Sequence, residues 1–337
     1  MSIREIFNDQ ARHCDGLGSP FMARLMALVA ERLQPGDPVA NRIFDWPGNA
    51  ATNADNVPLR LAGALHALKL RKKALTAVYP PHDPDDDTLW AAVQHAMTDH
   101  ADSILAWLER PPQTNEVRRA AAILPALALL RQTTDLPVDL LELGTSGGLN
   151  LRADRFHLNL KGHHVGDMAS PVTLTPDWQG PMPPRTLPRI LRRAGVDLAP
   201  VDPLSPEGEL RLLAYLWADQ PDRIARTKAA IAVARETPAE ISAGDAGEWL
   251  DRQLRQPRPD RLRVVFHTVA WQYFPAETRQ RALAAMENAV GPLARIAMEN
   301  DGGKGAAVTL TTWPGGAHRH LGRADFHGRW IEWHPQQ

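Results

Sequence analysis

The chain has 337 residues, 44% of them hydrophobic and 23% charged, so it can bury a sizeable core in two domains or in one domain with a large insertion. Its 38 basic and 39 acidic residues leave a net charge of −1, which excludes a global attraction to nucleic acid or to an anionic membrane. The single cysteine, Cys14, excludes an intramolecular disulfide and a thiolate-rich metal site.

The N-terminal residues lack the apolar segment that is typical of a signal peptide. The longest apolar run, Ala120–Leu130, is too short to span a bilayer and contains Pro125. We therefore expect a cytoplasmic protein that has neither a membrane nor a nucleic acid as its partner.

Residues 1–133 predict a helical domain, because apolar residues recur at helical spacing without a convincing strand pattern. One long helix is predicted over 90–108, after an acidic start that suits a helix N-terminus. Another is predicted from Thr114 to about Arg131, with Thr114 or Asn115 as its N-cap.

Residues 134–337 predict an α/β domain, since strand-like runs alternate with helical stretches. The predicted strands are Val138–Leu143, Glu240–Ala243, Leu262–His267, Arg295–Met298 and Val308–Thr312, and the predicted helices between the last four are Gly247–Leu254 and Glu277–Val290. This alternation favours a doubly wound, mostly parallel, Rossmann-like sheet. The Pro-rich residues 152–237 fit the pattern poorly, and we predict that they form a partly helical insertion that covers the site.

The most informative motif follows the first predicted strand and reads Glu142-Leu-Gly144-Thr-Ser146-Gly-Gly148. It resembles the first motif of class I S-adenosylmethionine-dependent methyltransferases, acid-x-G-x-G-x-G, with Ser146 in place of the middle glycine. Small residues let the backbone approach a ligand, and the helix start that follows directs N–H groups towards it. The resemblance implies a turn that binds S-adenosylmethionine.

A second acid follows the strand Glu240–Ala243, in Gly244-Asp245-Ala246, where these methyltransferases often place a carboxylate that binds the adenine amino group. The residues predicted to bind the cofactor are Glu142, Gly144, Thr145, Ser146, Gly148, Asn150, Asp245 and Ala246. An acid that binds the ribose normally ends the second strand. Two candidate second strands remain open for that role: Pro171–Leu174, which would offer Asp177, and Gly195–Leu198, which would offer Asp197.

Four residues are candidates for the surroundings of the methyl acceptor: His267, Asn115, Glu116 and Tyr273. His267 ends a predicted strand, and a neutral imidazole there could accept a proton from the nucleophile. The alternative is a buried histidine that is hydrogen-bonded to a neighbour. Asn115 is equally well explained as the N-cap of the helix that follows, and Glu116 as an acid that the helix dipole favours.

The same turn also spells G-x-S-x-G, the nucleophile elbow of serine hydrolases, and Asp245 and His267 follow Ser146 in the chain order of that triad. However, the chain before Val138 is helical, whereas several strands precede the elbow in that fold. No His-Gly-Gly segment is present to form an oxyanion hole either. We therefore rank a serine hydrolase third. The histidines lack a metal-binding pattern such as H-E-x-x-H, so no metal site is predicted.

The whole chain resembles a bacterial family known as domain of unknown function 2332. The matching segments are Gln113–Val117, Glu142–Asn150, Asp154–Phe156, Trp217–Asp219 with Asp222-Arg223, Gly244–Ala246, Val264–Val269 with Tyr273, and Gly328–His334. The resemblance implies a helical part followed by a methyltransferase-like part, and it carries no reaction of its own.

Together these features predict an S-adenosylmethionine-binding methyltransferase that acts on a small molecule. A non-catalytic, regulatory protein that keeps the cofactor pocket is the second hypothesis, because the fourth strand lacks the Asn/Asp-Pro-Pro-Tyr motif. The absence of that motif also argues against methylation of DNA bases. The methyl acceptor and the oligomeric state stay open.

Overall fold

The computed structural model describes residues 1–335 and divides the chain into two compact units. The helical unit comprises Met1–Thr114 and Ser205–Ala225. The sheet unit comprises Asn115–Leu204 and the described residues from Arg226 onward. The helix before the first strand therefore belongs to the sheet unit, whereas the sequence placed it in the helical region.

Seven α-helices precede the first strand, and the later helices lie between strands. The α-helices are α1 (Ile3–Gly16), α2 (Pro20–Arg32), α3 (Pro38–Phe44), α4 (Val57–Leu70), α5 (Asp86–Asp99), α6 (Ala101–Leu108), α7 (Ala120–Thr133), α8 (Pro206–Ala214), α9 (Pro221–Glu236), α10 (Ala246–Leu254) and α11 (Ala276–Glu287). The strands are β1 (Val138–Leu143), β2 (His157–Leu160), β3 (His163–Gly166), β4 (Thr173–Leu174), β5 (Asp177–Gln179), β6 (Ile190–Asp197), β7 (Glu240–Ala243), β8 (Leu262–Thr268), β9 (Leu293–Asn300), β10 (Ala306–Trp313), β11 (Ala317–Ala324) and β12 (Trp330–Trp333).

Side-chain caps explain where helices of the helical unit begin. Ser2 and Glu5 form a capping box at the start of α1, and Asp85 accepts a hydrogen bond from a backbone N–H in the first turn of α5. The single helix predicted over 90–108 is wrong. His100, with φ of −122°, leaves helical geometry and separates α5 from α6.

The helix predicted from Thr114 begins six residues later, at Ala120, after a short 3-10 turn. Glu116 is the N-cap of that turn and accepts a hydrogen bond from the backbone N–H of Arg118 at 3.1 Å. The cap is therefore neither Thr114 nor Asn115. Asn115 is engaged elsewhere, as described below.

The helical unit is stabilised by one continuous apolar cluster. Phe7, Leu25, Leu65 and Tyr79 are fully buried in it, and residues of the later segment such as Trp217 complete it. Packing of amphipathic helices around such a core supplies most of the stability of helices of this length. Among the described residues, no helix is both long enough and apolar enough to cross a membrane.

The sheet unit contains a nine-stranded sheet in the order β5-β12-β11-β10-β9-β8-β1-β6-β7. The strands β7, β6, β1, β8 and β9 run parallel, while β9 to β12 pair antiparallel and β5 adds a parallel edge. Every residue of β1 and of β8 is buried, as expected for central strands of a parallel sheet. The fold is thus mixed α/β with a large, mostly parallel central sheet, in agreement with the predicted fold class at this level.

The interpretation of residues 152–237 as an insertion is corrected, because this stretch supplies β6, which lies between β1 and β7 in the sheet. Its earlier part forms a separate three-stranded sheet in the order β3-β2-β4. The strand β6 was difficult to recognise because it carries Arg192 and Arg193. Arg192 pairs with Glu240 and Arg193 with Asp154, and these partners are distant in sequence.

One face of the sheet is covered by α10 and α11. Leu141 and Val265 of the central strands pack there with Leu250 and Met286 of the two helices. This arrangement leaves the carboxyl ends of β1, β6, β7 and β8 next to one another at one edge. Ligands of open parallel sheets bind in the crevice outside such ends.

Candidate functional site

The glycine-rich turn connects the carboxyl end of β1 to a short 3-10 helix that starts at Leu149. Three of its residues, Gly144, Ser146 and Gly148, have positive φ angles of 74°, 52° and 67°. A β-carbon on Gly144 would lie 2.6 Å from that of Ala270. Glycine is therefore needed at this position on both steric and conformational grounds.

Glu142 lies beneath the turn rather than at its surface. It is 2% exposed, and Thr145 donates its hydroxyl hydrogen to the Glu142 carboxylate at 2.6 Å. Burial raises the pKa of Glu142 to about 8, so the carboxyl group is mostly protonated at neutral pH. Glu142 and Thr145 were both predicted to bind the cofactor. They lie beneath the turn and stabilise it from inside.

Asp197, the last residue of β6, lies against the same turn. Its carboxylate accepts hydrogen bonds from the backbone N–H groups of Ser146 at 2.8 Å and of Ala199 at 3.0 Å. Asp177 is in the edge strand β5, whose neighbour is β12. Of the two acids that the sequence left open, Asp197 is therefore the one beside the glycine-rich turn.

Leu198, directly after Asp197, is a residue that the sequence did not single out. Its side chain is 77% exposed, which is unusual for leucine next to a central strand. The signal was present in the sequence as an apolar residue after the acid that ends a candidate second strand.

Asp245 and Ala246 follow β7 and begin α10. Asp245 is the N-cap of that helix and accepts from the backbone N–H of Glu248 at 2.9 Å and from the Thr278 hydroxyl. Burial raises the pKa of Asp245, but these hydrogen bonds outweigh it and the net shift is downward, so the group is ionised. A β-carbon on the preceding Gly244 would meet no atom within 4 Å, so the backbone is open at this strand end.

Asn115, Glu116 and Asn150 form a buried polar group next to the turn. The side-chain oxygen of Asn115 accepts from the backbone N–H of Leu149 at 2.9 Å. The side-chain amide of Asn150 donates to the backbone carbonyl of Glu116 at 3.2 Å. The three residues thus connect the segment before α7 to the helix start after the turn.

His267 lies at the end of β8 and is fully buried between two charged groups. Its Nδ1 is 2.7 Å from a carboxylate oxygen of Glu299, and Arg295 donates from Nε to His267 Nε2 at 2.9 Å. Because the guanidinium can only donate, Nε2 is the unprotonated nitrogen and the proton is on Nδ1. Burial and the charge of Arg295 lower the pKa of His267 despite the hydrogen bond with Glu299.

Trp271 completes this cluster. Its ring stacks on His267 with a centroid distance of 4.8 Å, and the guanidinium carbon of Arg295 is 4.3 Å from its centre. Glu299 also accepts from the backbone N–H groups of Ala270 and Trp271. We refer to His267, Arg295, Glu299 and Trp271 as the histidine cluster. Only His267 was a predicted site residue, because the pairing of Arg295 and Glu299 with it depends on the tertiary fold.

Tyr273 is two residues beyond Trp271 in a short 3-10 helix and is 70% exposed. It follows the histidine cluster in sequence, but its side chain is at the surface. The structure therefore places two of the four acceptor candidates, Asn115 and Glu116, beside the turn. His267 is buried, and Tyr273 is exposed.

The hydrogen bonds of a serine hydrolase triad are not formed. His267 is bonded to Glu299 and Arg295, and Asp245 is bonded to Thr278 and Glu248. A catalytic imidazole needs one nitrogen for the nucleophile and the other for the orienting acid. This geometry disfavours the hydrolase hypothesis.

A cavity of about 420 Å³ flanks the turn on the side of β7. Gly147, Arg152 and Ile241 contribute to its lining, together with the segment 200–204 that follows β6. Its volume is within the range of small-molecule sites. Within residues 1–335, no group of three or more histidine, cysteine, aspartate or glutamate side chains is arranged to hold a metal ion.

The family model described as "Uncharacterized protein conserved in bacteria (DUF2332)" matches residues 4–333. The chain belongs to this family. The match spans the helical unit and the sheet unit, so both are parts of one family architecture, and the predicted family membership is confirmed. No curated protein and no solved structure matches the chain.

Proposed function

We propose that this protein is an S-adenosylmethionine-dependent methyltransferase that acts on a small molecule. The observation that carries the proposal is the position of three acids at one edge of the sheet. Glu142, Asp197 and Asp245 lie at or directly after the carboxyl ends of the neighbouring strands β1, β6 and β7. The glycine-rich turn follows β1 and contacts both Glu142 and Asp197.

The order of the parallel strands supports the same proposal. Numbered along the chain, β7-β6-β1-β8-β9 is the third, second, first, fourth and fifth parallel strand. This is the order of doubly wound sheets that bind a nucleotide at the first strand–turn–helix corner. Class I methyltransferases have this arrangement, and the turn after β1 resembles their first motif.

The residues at the edge have the chemistry that the cofactor requires. Asp197 would accept from the ribose hydroxyls, since a carboxylate offers about four lone-pair sites and backbone N–H groups occupy only part of them. Asp245 would accept from the adenine amino group, with open space beside Gly244. The exposed side chain of Leu198 would cover an apolar face of the base.

The bound cofactor supplies an electrophilic methyl group, and the protein contributes mainly position. Holding two reactants in line accounts for a large part of the rate enhancement in such transfers. Asn115, Glu116, His267 and Tyr273 stay the candidates near the acceptor. For His267 a positioning role fits best, because both of its ring nitrogens already have partners.

Calorimetric titration with S-adenosylhomocysteine tests the proposal. We expect the parent protein to bind it, and Asp197→Asn and Asp245→Asn each to weaken binding by about tenfold, the effect of losing one charge-assisted hydrogen bond. Asp177→Asn is the matched control, because Asp177 lies in the edge strand β5. The affinity of this variant for S-adenosylhomocysteine should equal that of the parent protein. Absence of binding by the folded parent protein would refute the proposal.

A second candidate function is that of a regulatory protein that binds the cofactor without catalysis. The neutral, fully bonded His267 favours it, because a general base must be able to accept a proton from the substrate. Incubation with radiolabelled S-adenosylmethionine and a panel of amines, hydroxyl compounds and carboxylic acids separates the two. Label transfer to any acceptor supports the enzyme, and tight binding without transfer supports the regulator.

A further inference from the structure

A second cavity lies at the opposite edge of the sheet, where β1, β6 and β8 begin. Its volume is about 340 Å³. It is lined by Asp139, Leu141, Arg192, Arg252, Gln253, Gln256, Arg258 and Arg263. We refer to it as the arginine cavity. All of these residues belong to the sheet unit, and none of them is part of the proposed cofactor site.

The strand register brings three charged residues of the arginine cavity together. Asp139 of β1 is opposite Arg192 of β6 and opposite Arg263 of β8. Residues in register on neighbouring strands project to the same face of a sheet, which here is the face that α10 covers. The end of α10 and the segment after it add Arg252 and Arg258.

Positive charge in the arginine cavity exceeds negative charge. Glu240 pairs with Arg192 at 2.6 Å, and Asp139 pairs with Arg261, which is outside the lining, at 2.9 Å. Within residues 1–335, no carboxylate forms an ion pair with Arg252, Arg258 or Arg263. Three guanidinium groups therefore share one cavity with a single carboxylate, that of Asp139, which is paired with Arg261 outside the lining.

Arg263 is the most unusual of the three, because it is only 2% exposed. Its terminal nitrogens donate to the backbone carbonyls of Leu254, Gln256 and Val290, whereas its buried Nε has no hydrogen-bond partner. Burial lowers the pKa of Arg263, the charge of Asp139 raises it, and the charge of Arg258 lowers it again, with a net downward shift. A bound anion would offset this unfavourable electrostatic energy.

We propose that the arginine cavity binds the phosphate group of a small phosphorylated molecule. Arginine is the preferred partner of phosphate because its planar fork donates two parallel hydrogen bonds. The volume is near the lower end of the range for small-molecule sites and exceeds what a phosphate ion alone requires. Gln253 and Gln256 add amide groups that could bind the hydroxyl groups of a polar organic moiety.

Calorimetric titration of the full chain with ribose 5-phosphate and with inorganic phosphate tests this site. Ribose 5-phosphate has no adenine, so the measurement stays informative whether or not S-adenosylhomocysteine binds. We expect submillimolar binding of ribose 5-phosphate and weaker binding of inorganic phosphate. Arg252→Gln and Arg258→Gln should each weaken binding by about tenfold, since each removes one charge-assisted contact.

Arg255→Gln is the matched control, because Arg255 lies between the two substituted positions, is exposed and pairs with Asp251 outside the cavity. The affinity of the Arg255→Gln variant for ribose 5-phosphate should stay within about twofold of that of the parent protein. This change is smaller than the effect of losing one charge-assisted contact. An equal loss in the control would mean unspecific attraction and would overturn the proposal. The proposal would also be overturned if ribose 5-phosphate did not bind at millimolar concentration, or if inorganic phosphate bound as tightly as ribose 5-phosphate.

Arg252 and Arg258 are exposed, so their substitution should leave the fold intact, and circular dichroism checks this. Arg263→Gln is less informative by itself, because it also removes bonds to three backbone carbonyls. For this variant the measurement is the thermal shift that ribose 5-phosphate produces. Loss of the shift in a folded Arg263→Gln protein supports the site, and a shift equal to that of the parent protein contradicts it.

Discussion

The helical unit and the sheet unit differ in what they bury. The buried polar side chains of the helical unit are Gln10, Ser19, Arg60, His66 and Arg223, so no carboxylate is buried among the described residues of this unit. Those of the sheet unit include the acids Glu116, Asp139, Glu142 and Asp325. Buried charge is costly unless it is bonded, and it is concentrated where function requires it. The contrast in buried carboxylates supports the proposed chemistry in the sheet unit and mainly a structural role for the helical core.

The largest expected effect comes from breaking the histidine cluster. Glu299→Ala removes the carboxylate that bonds to His267 and lies near Arg295, and leaves that arginine buried without a compensating charge. We expect a loss of about 4 kcal/mol in the free energy of unfolding, measured in urea. The exposed Glu287 at the end of α11 is the control, and Glu287→Ala should change little. Equal effects of the two substitutions would contradict the importance of the cluster.

A core substitution in the helical unit should cost somewhat less and affect stability alone. Leu65 is fully buried, so Leu65→Ala leaves a cavity, and we expect a loss of about 3 kcal/mol. Binding of S-adenosylhomocysteine at a temperature well below the unfolding midpoint should be unchanged. A weakened affinity in the folded variant would show that the two units do not divide their tasks as we infer.

Glu142 gives the sheet unit a stability that falls as the pH rises. The pKa of its carboxyl group is about 8 in the folded state, against an ordinary value of 4.5. Between these values the folded state holds more protons than the unfolded state, so unfolding becomes easier at higher pH. The slope is at most about 1.4 kcal/mol per pH unit for this one group. Urea unfolding from about pH 5 to about pH 9, which covers most of this interval, should show the decline, and Glu142→Gln should reduce it.

His66 gives the helical unit the opposite dependence over a narrower interval. Burial lowers its pKa from 6.5 to about 4, so the unfolded state holds more protons between those values. Stability should therefore be lost as the pH falls through this interval. Hydrogen exchange of α4, which contains His66, measures it locally. His66→Phe should remove the acid sensitivity, and an unchanged pH profile would contradict the assignment.

The sequence predicted the elements whose patterns are local. Val138–Leu143 and Glu240–Ala243 were predicted with the bounds that the structure gives, because an apolar run or a flanking turn marks each of them. Only the carboxyl end of β6 was a candidate strand, as Gly195–Leu198, since Arg192 and Arg193 interrupt the apolar character of the rest. Their partners come from other elements, and a sequence pattern does not contain that information.

The candidate site shows the same limit. The glycine-rich turn and Asp245 could be found from their neighbours in sequence. Glu299, by contrast, is 32 residues from His267 and reaches it only because β9 pairs with β8. The choice between Asp177 and Asp197 also required the strand order. Residue type and spacing thus predicted the turn and its neighbouring acid, and the pairing of the strands determines which side chains meet.

The division of the chain has a consequence for its synthesis on the ribosome. The core of the helical unit includes Ala214, Tyr215 and Trp217, which are made long after its first segment ends at Thr114. The central pairing of Val138 with Leu262 needs an even longer stretch of chain. Domains usually fold as units while the chain emerges, and distant pairings are slow. The nascent helices must therefore wait with exposed apolar surface, which makes early chaperone binding an expected part of the biogenesis of this protein.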